Sequence, residues 1–294
     1  MLLSTVFVLR PLAESTLPLT QGNAIHAWFL HLVRQHDPQL ASWLHSQEQR
    51  KPFTTSPLQG RLMRQGASAL LRPDHTYWLR VTSLVADLSA CLLTVEAAPP
   101  SRVRLFDVEF EVCAVTSQFQ EHPWAQRSTY EQLYTRAAER LPAPQHTLDF
   151  VSPTVFRSQG RNQLMPVPRL IFASLWESWH AFAPVPLPPA LLPVLSTEVD
   201  VLRYELKTQM YDFGTYRQVG FVGPCAFGMS QRQPADVLRG MQLLLDSAFF
   251  TGGRLQNYYG YGPDTPARTP VDNGPDSRRR CQGLCGIWSL RACA

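Results

Sequence analysis

The sequence predicts an α+β fold in which the element order β-α-β-β-α-β occurs twice before a disordered C-terminal tail. Two stretches alternate apolar strands with amphipathic helices in this order, prolines separate the elements, and the composition changes after residue 262. This order is the ferredoxin-like, or RRM-like, plan. We expect a first domain over residues 1–117, a linker with one helix over 118–145, a second domain over 146–262, and the tail over 263–294.

The first domain is predicted to begin with a strand at Leu3–Leu9 and a helix at Ala24–Gln35. Apolar residues recur at helical spacing in that helix, and Asp37-Pro38 ends it because a proline disfavours helix in the preceding residue. The other predicted elements are a short helix from Pro38 to Leu44, strands at Phe53–Leu58 and Tyr77–Leu84, a helix at Asp87–Ala97 and a strand at Arg104–Thr116.

The second domain repeats the order after a linker helix at Thr129–Arg140. The stretch Ala183–Pro193 is dense in proline and is predicted to be a loop. The predicted elements are a strand at Thr147–Phe156, a helix at Leu170–Phe182, strands at Glu198–Asp212 and Tyr216–Ser230, and a helix at Pro234–Phe250.

Composition excludes several classes of protein. Hydrophobic residues make up 45% of the 294 residues, which is enough for a packed core, and no apolar run approaches the length of a membrane helix. The N-terminus is predicted to be a strand and not a signal peptide, so we expect a cytoplasmic protein without a membrane partner. No zinc-protease, P-loop or serine-hydrolase motif is present. The cysteines at 281, 285 and 293 lack a fourth ligand, so no metal and no cofactor is expected.

The positive charge is carried by arginine. The 27 basic residues include only two lysines, Lys51 and Lys207, and the net charge is +4. Arginine presents a planar fork that suits phosphate and base edges, so this composition fits a nucleic-acid partner. A GC-rich genome would also favour arginine codons, and the charge by itself decides nothing.

The most informative segment runs from residue 44 to residue 58. It places His45 at the end of a helix, followed by Arg50 and Lys51 before a strand. Histidine can transfer protons near neutral pH, and lysine can stabilise charge on a phosphate. RNA cleavage by the ribose 2′-OH needs only these roles. A histidine at a helix C-terminus is also favoured by the helix dipole, which is the structural alternative for His45.

These segments resemble the CRISPR-associated endoribonucleases of the RAMP superfamily, which process precursor crRNA. The resemblance begins with the N-terminal strand, ends at residue 262 and so spans about 260 residues. After that strand it is carried by four segments in order: GNAIHAWFLHLVRQHDPQLASWLHSQEQRKPFTTSPLQG (22–60), RLIFASLWESWHAFAP (169–184), GFVG (220–223) and SAFFTGGRLQNYYGYG (247–262). It implies tandem ferredoxin-like domains, a metal-free reaction, and products with 5′-OH and 2′,3′-cyclic phosphate ends.

The resemblance also implies a set of catalytic residues. The catalytic histidine of the family corresponds to His45, and its supporting lysine to Lys51. Some members add a tyrosine in the first helix, and the matching position here is Leu30. His26 or His31 can substitute for it, and we select His31 because it is adjacent to Leu30.

A Gly-rich loop of the family is altered in this chain. It contains Gly252 and Gly253, but Arg254 replaces a usual glycine and Gln256 a usual basic residue. Tyr258 offers a ring for base stacking or for strand packing. The predicted RNA-binding residues are these five together with Arg34, Arg50, Arg157, Arg161 and Arg169.

The predicted partner is CRISPR repeat RNA or crRNA. The resemblance implies a monomer or dimer, and membership of a CRISPR effector complex is left open. Two alternatives to an active enzyme are left open. The altered loop favours a module that holds the processed guide without cutting it. The other alternative is a structural subunit of an effector complex, which would not need His45 and Lys51 together.

Overall fold

The computed structural model describes residues 1–19, 21–47, 50–66, 68–212, 217–251, 254–256 and 288–291. Two sheets, each flanked by helices, form two halves with the predicted tandem ferredoxin-like architecture. The first half contains, in chain order, β1 (Leu2–Pro11), β2 (Ser15–Pro18), α1 (Gly22–His36), α2 (Pro38–Ser46), β3 (Phe53–Thr55), β4 (Gln59–Gly60), β5 (Met63–Gln65), β6 (Ser68–Leu71), β7 (Tyr77–Ser83), α3 (Ala86–Ala97), β8 (Arg102–Leu105), β9 (Val108–Thr116) and β10 (Gln126–Ser128).

The sheet of the first half has the strand order β3-β7-β1-β9-β8, with β10 paired to β1 and β4 to β7. The pairs are antiparallel, and the four strands β3-β7-β1-β9 have the ferredoxin-like order. A separate three-stranded sheet, β2-β6-β5, was not predicted. The predicted strand Arg104–Thr116 is wrong as a single element. It is a hairpin, because the backbone turns at Phe106, where φ is 55°.

The second half contains, in chain order, α4 (Tyr130–Glu139), β11 (Gln145–Ser158), β12 (Arg161–Gln163), α5 (Pro168–Phe182), α6 (Leu191–Glu198), β13 (Asp200–Tyr204), β14 (Lys207–Asp212), β15 (Arg217–Gly228), α7 (Ala235–Thr251), β16 (Arg254–Gln256) and β17 (Trp288–Arg291). Its sheet has the order β12-β11-β15-β13, with β14 paired to β15 and both β16 and β17 paired to β11.

Three predictions in the second half and the tail need correction. The predicted loop Ala183–Pro193 runs into α6, in whose first turn Pro193 fits because the first N–H groups of a helix need no internal partner. The predicted strand Glu198–Asp212 is two strands, β13 and β14. The predicted disordered tail contains the strand β17, which pairs in parallel with β11, and its other residues lie outside the described part.

Strand β11 carries an irregularity that matters for the surface between the halves. Its pairing with β15 jumps from Phe150 to Thr154, so three residues, including Pro153, bulge out of the ladder. Gly220 lies opposite the bulge, where an added Cβ would come within 2.8 Å of the Pro153 carbonyl carbon. The GFVG segment therefore begins with a glycine because the bulge leaves no room for a side chain.

Two hydrophobic clusters form the core. One lies within the first half, between its sheet and α1, α2 and α3. The other fills the second half but also includes Leu2 and Leu84 from the first half and Tyr130 from α4. The Tyr130 hydroxyl donates to the Leu84 carbonyl at 3.0 Å. The second core therefore extends to the ends of the first half's strands.

Candidate active site

The site forms where α2 ends, beside the start of α1. Asp37 caps α2 by accepting a hydrogen bond from the Leu40 amide at 2.9 Å, and Pro38 occupies the first turn. His45 lies in the last turn of α2 and is exposed to solvent. The break at Asp37-Pro38 lets the chain turn back, so that the end of α2 comes close to the beginning of α1.

Lys51 fixes the end of α2. Its Nζ donates to the carbonyl of Leu44 at 3.0 Å and to the carbonyl of His45 at 2.9 Å. The last carbonyls of a helix have no internal partner, so this ammonium group satisfies two of them. Lys51 thus holds the backbone of His45 directly, and the predicted pair of histidine and lysine is brought together.

His26 is the alternative to His31 that was not selected from the sequence. Its ring stacks on Phe53 of β3, with centroids 5.5 Å apart and planes at 27°. Burial lowers the pKa of His26, and the charges of Lys51 and His45 lower that pKa further. Three groups able to transfer protons or bind phosphate therefore share one small region.

His31 and Leu30 lie elsewhere on α1. The side chain of His31 is exposed and its Nε2 is 3.2 Å from Nε2 of Gln35. Leu30 is buried in the core of the first half. The signal that distinguishes His26 from His31 is the apolar stripe of α1, because His26 borders the stripe and the stripe faces Phe53.

Arg50 connects this site to the second half. Its guanidinium donates to the Ser174 carbonyl at 3.2 Å, to the Ser178 hydroxyl at 2.6 Å, and to the Glu177 carboxylate. All three acceptors belong to α5. The predicted RNA-binding residue Arg50 therefore has protein partners and anchors the segment that carries Lys51.

The other predicted arginines lie on the surface. Arg157 and Arg161 are exposed on the β11–β12 hairpin, and Arg169 is exposed in the first turn of α5. Arg34 is exposed on α1. None of these four has an ion pair with a residue that the structure describes. Their side chains are available to a partner of opposite charge.

The predicted Gly-rich loop lies largely beyond the described residues. Gly252, Gly253 and Tyr258 are outside them. Arg254 and Gln256 lie in β16, whose backbone pairs with residues 147–149 of β11.

Metal-binding clusters and membrane-spanning helices are both absent from the described residues. These residues contain no cluster of three or more histidine, cysteine or acidic side chains that could hold a metal ion. No helix among them is long and apolar enough to cross a membrane.

Comparison with known proteins gives a consistent result. The model of the CRISPR Cas6 N-terminal domain matches residues 1–135, and the model of the CRISPR-associated endoribonuclease Cas6 matches residues 148–262. No curated protein sequence matches the chain.

Solved Cas6 structures share the fold. A Cas6 (TTHB231) product complex is 28% identical with a TM-score of 0.71, and the match covers 86% of this chain and 94% of that chain. A Cas6 (TTHA0078) product complex is 29% identical with a TM-score of 0.67, covering 85% and 92%. The Thermus thermophilus Cas6 (TTHB231) structure is 26% identical with a TM-score of 0.63, covering 85% and 92%. With both family models matched in order along most of its length, the chain belongs to the Cas6 family of CRISPR-associated endoribonucleases.

Proposed function

We propose that the chain cuts CRISPR repeat RNA in precursor crRNA without a metal ion, through attack of the ribose 2′-OH next to the cut. The observation that carries this proposal is the grouping of His26, His45 and Lys51 at the end of α2. Membership of the Cas6 family supports RNA as the substrate, and the related structures include product complexes and a substrate mimic complex.

The three groups suffice for a transesterification. A base removes the proton of the 2′-OH, whose oxygen forms the new bond to phosphorus. The bond to the 5′-oxygen breaks, and an acid protonates that oxygen. The products are a 2′,3′-cyclic phosphate and a 5′-OH. The lowered pKa of His26 keeps its imidazole neutral at pH 7, which suits the base. His45 then serves as the acid, and Lys51 stabilises negative charge on the phosphate.

The remaining predicted residues fit substrate binding. Arg157, Arg161 and Arg169 are proposed to contact the repeat backbone, and Arg34 extends this role to the first half. His31 remains a candidate for the second catalytic group. Gly252, Gly253, Arg254, Gln256 and Tyr258 stay proposed RNA-binding residues by the resemblance of their loop.

The test is incubation of the purified protein with the repeat RNA of its own genome in EDTA, beside His45→Ala. We expect the wild type to make a single cut that leaves a cyclic phosphate. His45→Ala should abolish cleavage yet bind the repeat within a few-fold, since His45 is exposed and supports no core contact. Full activity in this variant would refute the assignment, and loss of wild-type activity in EDTA would refute the metal-free mechanism.

Tight binding without any cut by the wild type would instead identify a module that holds the processed guide. The altered Gly-rich loop would then be the first feature to restore, by placing a glycine at Arg254 and a lysine at Gln256. A gain of cleavage in that double variant would establish the loop as the cause.

The pH dependence of cleavage tests the role of His26. A base must be deprotonated, so the rate should rise with pH through the pKa of His26, and this limb should lie below pH 6.5. Because the Lys51 charge contributes to the lowered pKa, Lys51→Met should move the limb towards higher pH as well as slow the reaction. A limb that stays in place in Lys51→Met would assign it to another group.

A further inference from the structure

A pocket lies between the two halves, apart from the candidate active site. Its cavity volume is about 190 Å³. The first half contributes β3, β7 and the loop between β3 and β4, and the second half contributes the bulge of β11. The lining residues are Thr54, Thr55, Ser56, Pro57, Gln59, Trp78, Arg80, Trp124, Val151 and Ser152.

Two indole rings form the wall of this inter-half pocket. The rings of Trp78 and Trp124 lie 5.9 Å apart at an interplanar angle of 30°. His122 packs its edge against Trp78 at 4.9 Å, and Phe249 stacks behind Trp124 at 6.3 Å with planes at 16°. Each indole thus packs against another ring, and both remain partly exposed. A planar ligand would meet rings that are already ordered.

Arg80 adds a fixed cation to the same wall. It is only 6% exposed, and its Nε donates to the Ser4 hydroxyl at 2.7 Å. A second nitrogen donates to the Phe249 carbonyl at the end of α7. Its guanidinium carbon lies 5.2 Å from the ring centre of Trp124 and 4.3 Å from that of Phe249. A guanidinium held in place loses little entropy when a ligand arrives.

The mouth of the pocket carries small polar groups. The β11 bulge directs Val151 and Ser152 to the pocket, and Val151 is 42% exposed, so the mouth opens to solvent. Thr55 and Ser152 are among the lining residues, and neither hydroxyl makes a hydrogen bond to a described residue. Such groups can donate to or accept from the edge of a ligand.

We propose that the inter-half pocket binds one unstacked nucleobase of the RNA, which rests on the proposed function of cutting repeat RNA. Single-stranded bases are bound on aromatic rings and arginine planes, with hydrogen bonds to their edges. The cavity is smaller than the roughly 300–1,000 Å³ of drug-sized ligand sites, so it suits a single base and not a larger group.

The first arm of the test varies the RNA and leaves the protein intact. Each single-stranded nucleotide is replaced in turn by an abasic one, in a repeat that carries a 2′-deoxyribose at the cut and so cannot be cleaved. Dissociation constants are then measured for wild type, Trp78→Ala and the control Tyr134→Ala. We expect one abasic position to weaken wild-type binding about tenfold, within the range for one base stack. The same position should have no further effect in Trp78→Ala. Tyr134→Ala, which removes an exposed ring on α4, should behave as wild type.

Trp78→Phe keeps an aromatic ring, so it tests the pocket even if Trp78→Ala does not fold. It should bind the intact repeat within a few-fold of wild type and keep the sensitive abasic position. If no abasic position loses its effect in Trp78→Ala, the proposal is overturned even though the protein binds and cuts RNA.

The second arm applies if wild type neither binds nor cuts the repeat, which would refute the proposed function. Adenosine and uridine 5′-monophosphates are then titrated while tryptophan fluorescence is followed. A saturable quench in wild type that is absent in Trp78→Ala would support a base-binding pocket without the RNA substrate. No quench with either nucleotide would overturn the pocket as well.

Discussion

The two halves share one folding plan but contribute different features to the molecule. In the first half, the end of α2 lies beside the start of α1, and His26, His45 and Lys51 come together there. The second half has no such grouping among its described residues, and its sheet is interrupted by the β11 bulge. What the second half supplies instead is a set of acceptors for two arginines of the first half.

These two arginines show how one half supports the other. Arg50 donates to Ser174, Ser178 and Glu177 on α5, and Arg80 donates to the carbonyl of Phe249 on α7. Both contacts join strand or loop segments of the first half to helices of the second half. The proposed catalytic groups therefore lie in one half, while the segments that carry them are held by contacts from both.

Residues 118–145, which join the two halves, are also held by side-chain contacts. Arg127 donates to the Ser117 hydroxyl at 2.7 Å and to the Glu96 carboxylate at 2.7 Å, which fixes β10 to α3. Helix α4 then contributes Tyr130 to the core of the second half. We propose the boundaries at residues 117 and 146 as limits of folding units, with residues 118–145 packed against both.

Among these predictions, the largest effect is expected from replacing a histidine of α1 by alanine. His26→Ala should slow cleavage by about 10²–10⁴-fold, the usual contribution of a general base. His31→Ala is the matched control on the same helix, and its rate should stay within a few-fold because His31 is exposed and its side chain hydrogen-bonds only to Gln35 among the described residues. Single-turnover cleavage of the repeat at saturating protein measures both. The opposite ranking would restore His31 as the second catalytic group.

Arginines of the second half should affect RNA binding more than cleavage. We expect the triple variant Arg157→Ala, Arg161→Ala, Arg169→Ala to weaken repeat binding and to flatten its salt dependence. The slope of log K against log salt should fall by roughly 0.7 for each phosphate of single-stranded RNA that the variant no longer neutralises. Titrations at several salt concentrations measure this slope. An unchanged slope would show that these exposed arginines do not touch the backbone.

The contact between the halves should influence the rate through the position of Lys51. Arg50→Ala should reduce the cleavage rate about tenfold, because a shift of Lys51 smaller than 1 Å should cost less than the roughly 10²-fold of a full 1 Å misplacement. Glu177→Gln keeps a neutral acceptor and should have a smaller effect. Arg102→Ala, which removes an exposed ion pair with Glu109 inside the first half, is the control. A loss of repeat binding with an unchanged rate in Arg50→Ala would favour the RNA contact that the sequence predicted.

The smallest effect concerns stability and pH in the second half. Burial lowers the pKa of His146 below 6.5, so the folded state binds fewer protons than the unfolded chain. The free energy that neutral His146 contributes to folding is fully present above pH 6.5, and it is lost as pH falls from 6.5 towards the pKa of His146 in the folded state. We expect His146→Gln to reduce the drop in Tm between pH 7.5 and 5.5, on the order of 2 °C. The exposed His36→Gln serves as the control, and an equal change in both would contradict the prediction.

Long periodic elements were predictable because their signals are local. The helices α1 and α7 follow from apolar spacing, α3 from the prolines after it, and the Asp37-Pro38 break places the start of α2. The hairpin of β8 and β9 and the small β2-β6-β5 sheet were missed, since their short strands lack a distinct pattern. Helix α6 was missed altogether because the prolines up to Pro193 indicated a loop, although proline is tolerated in a first turn.

The candidate site was predictable in part. His45 and Lys51 are six residues apart, so their proximity follows from the end of a helix and the strand after it. His26 is nineteen residues from His45, and its contact with Phe53 depends on how α1 packs against β3. Arg50 looked like a ligand for phosphate, whereas the packing of α5 supplies it with protein acceptors.

By itself, the sequence determined the repeated β-α-β-β-α-β plan, the family resemblance, and the histidine and lysine at the end of α2. Only the tertiary structure decided that His26 is the histidine of α1 beside them, that Arg50 and Arg80 join the halves, and that two tryptophans face a pocket. The physical reason is the separation along the chain of the residues that each interaction joins. Helix and strand periodicity are set by neighbours within a few residues, whereas charge coupling, burial and ring stacking depend on segments far apart in the chain.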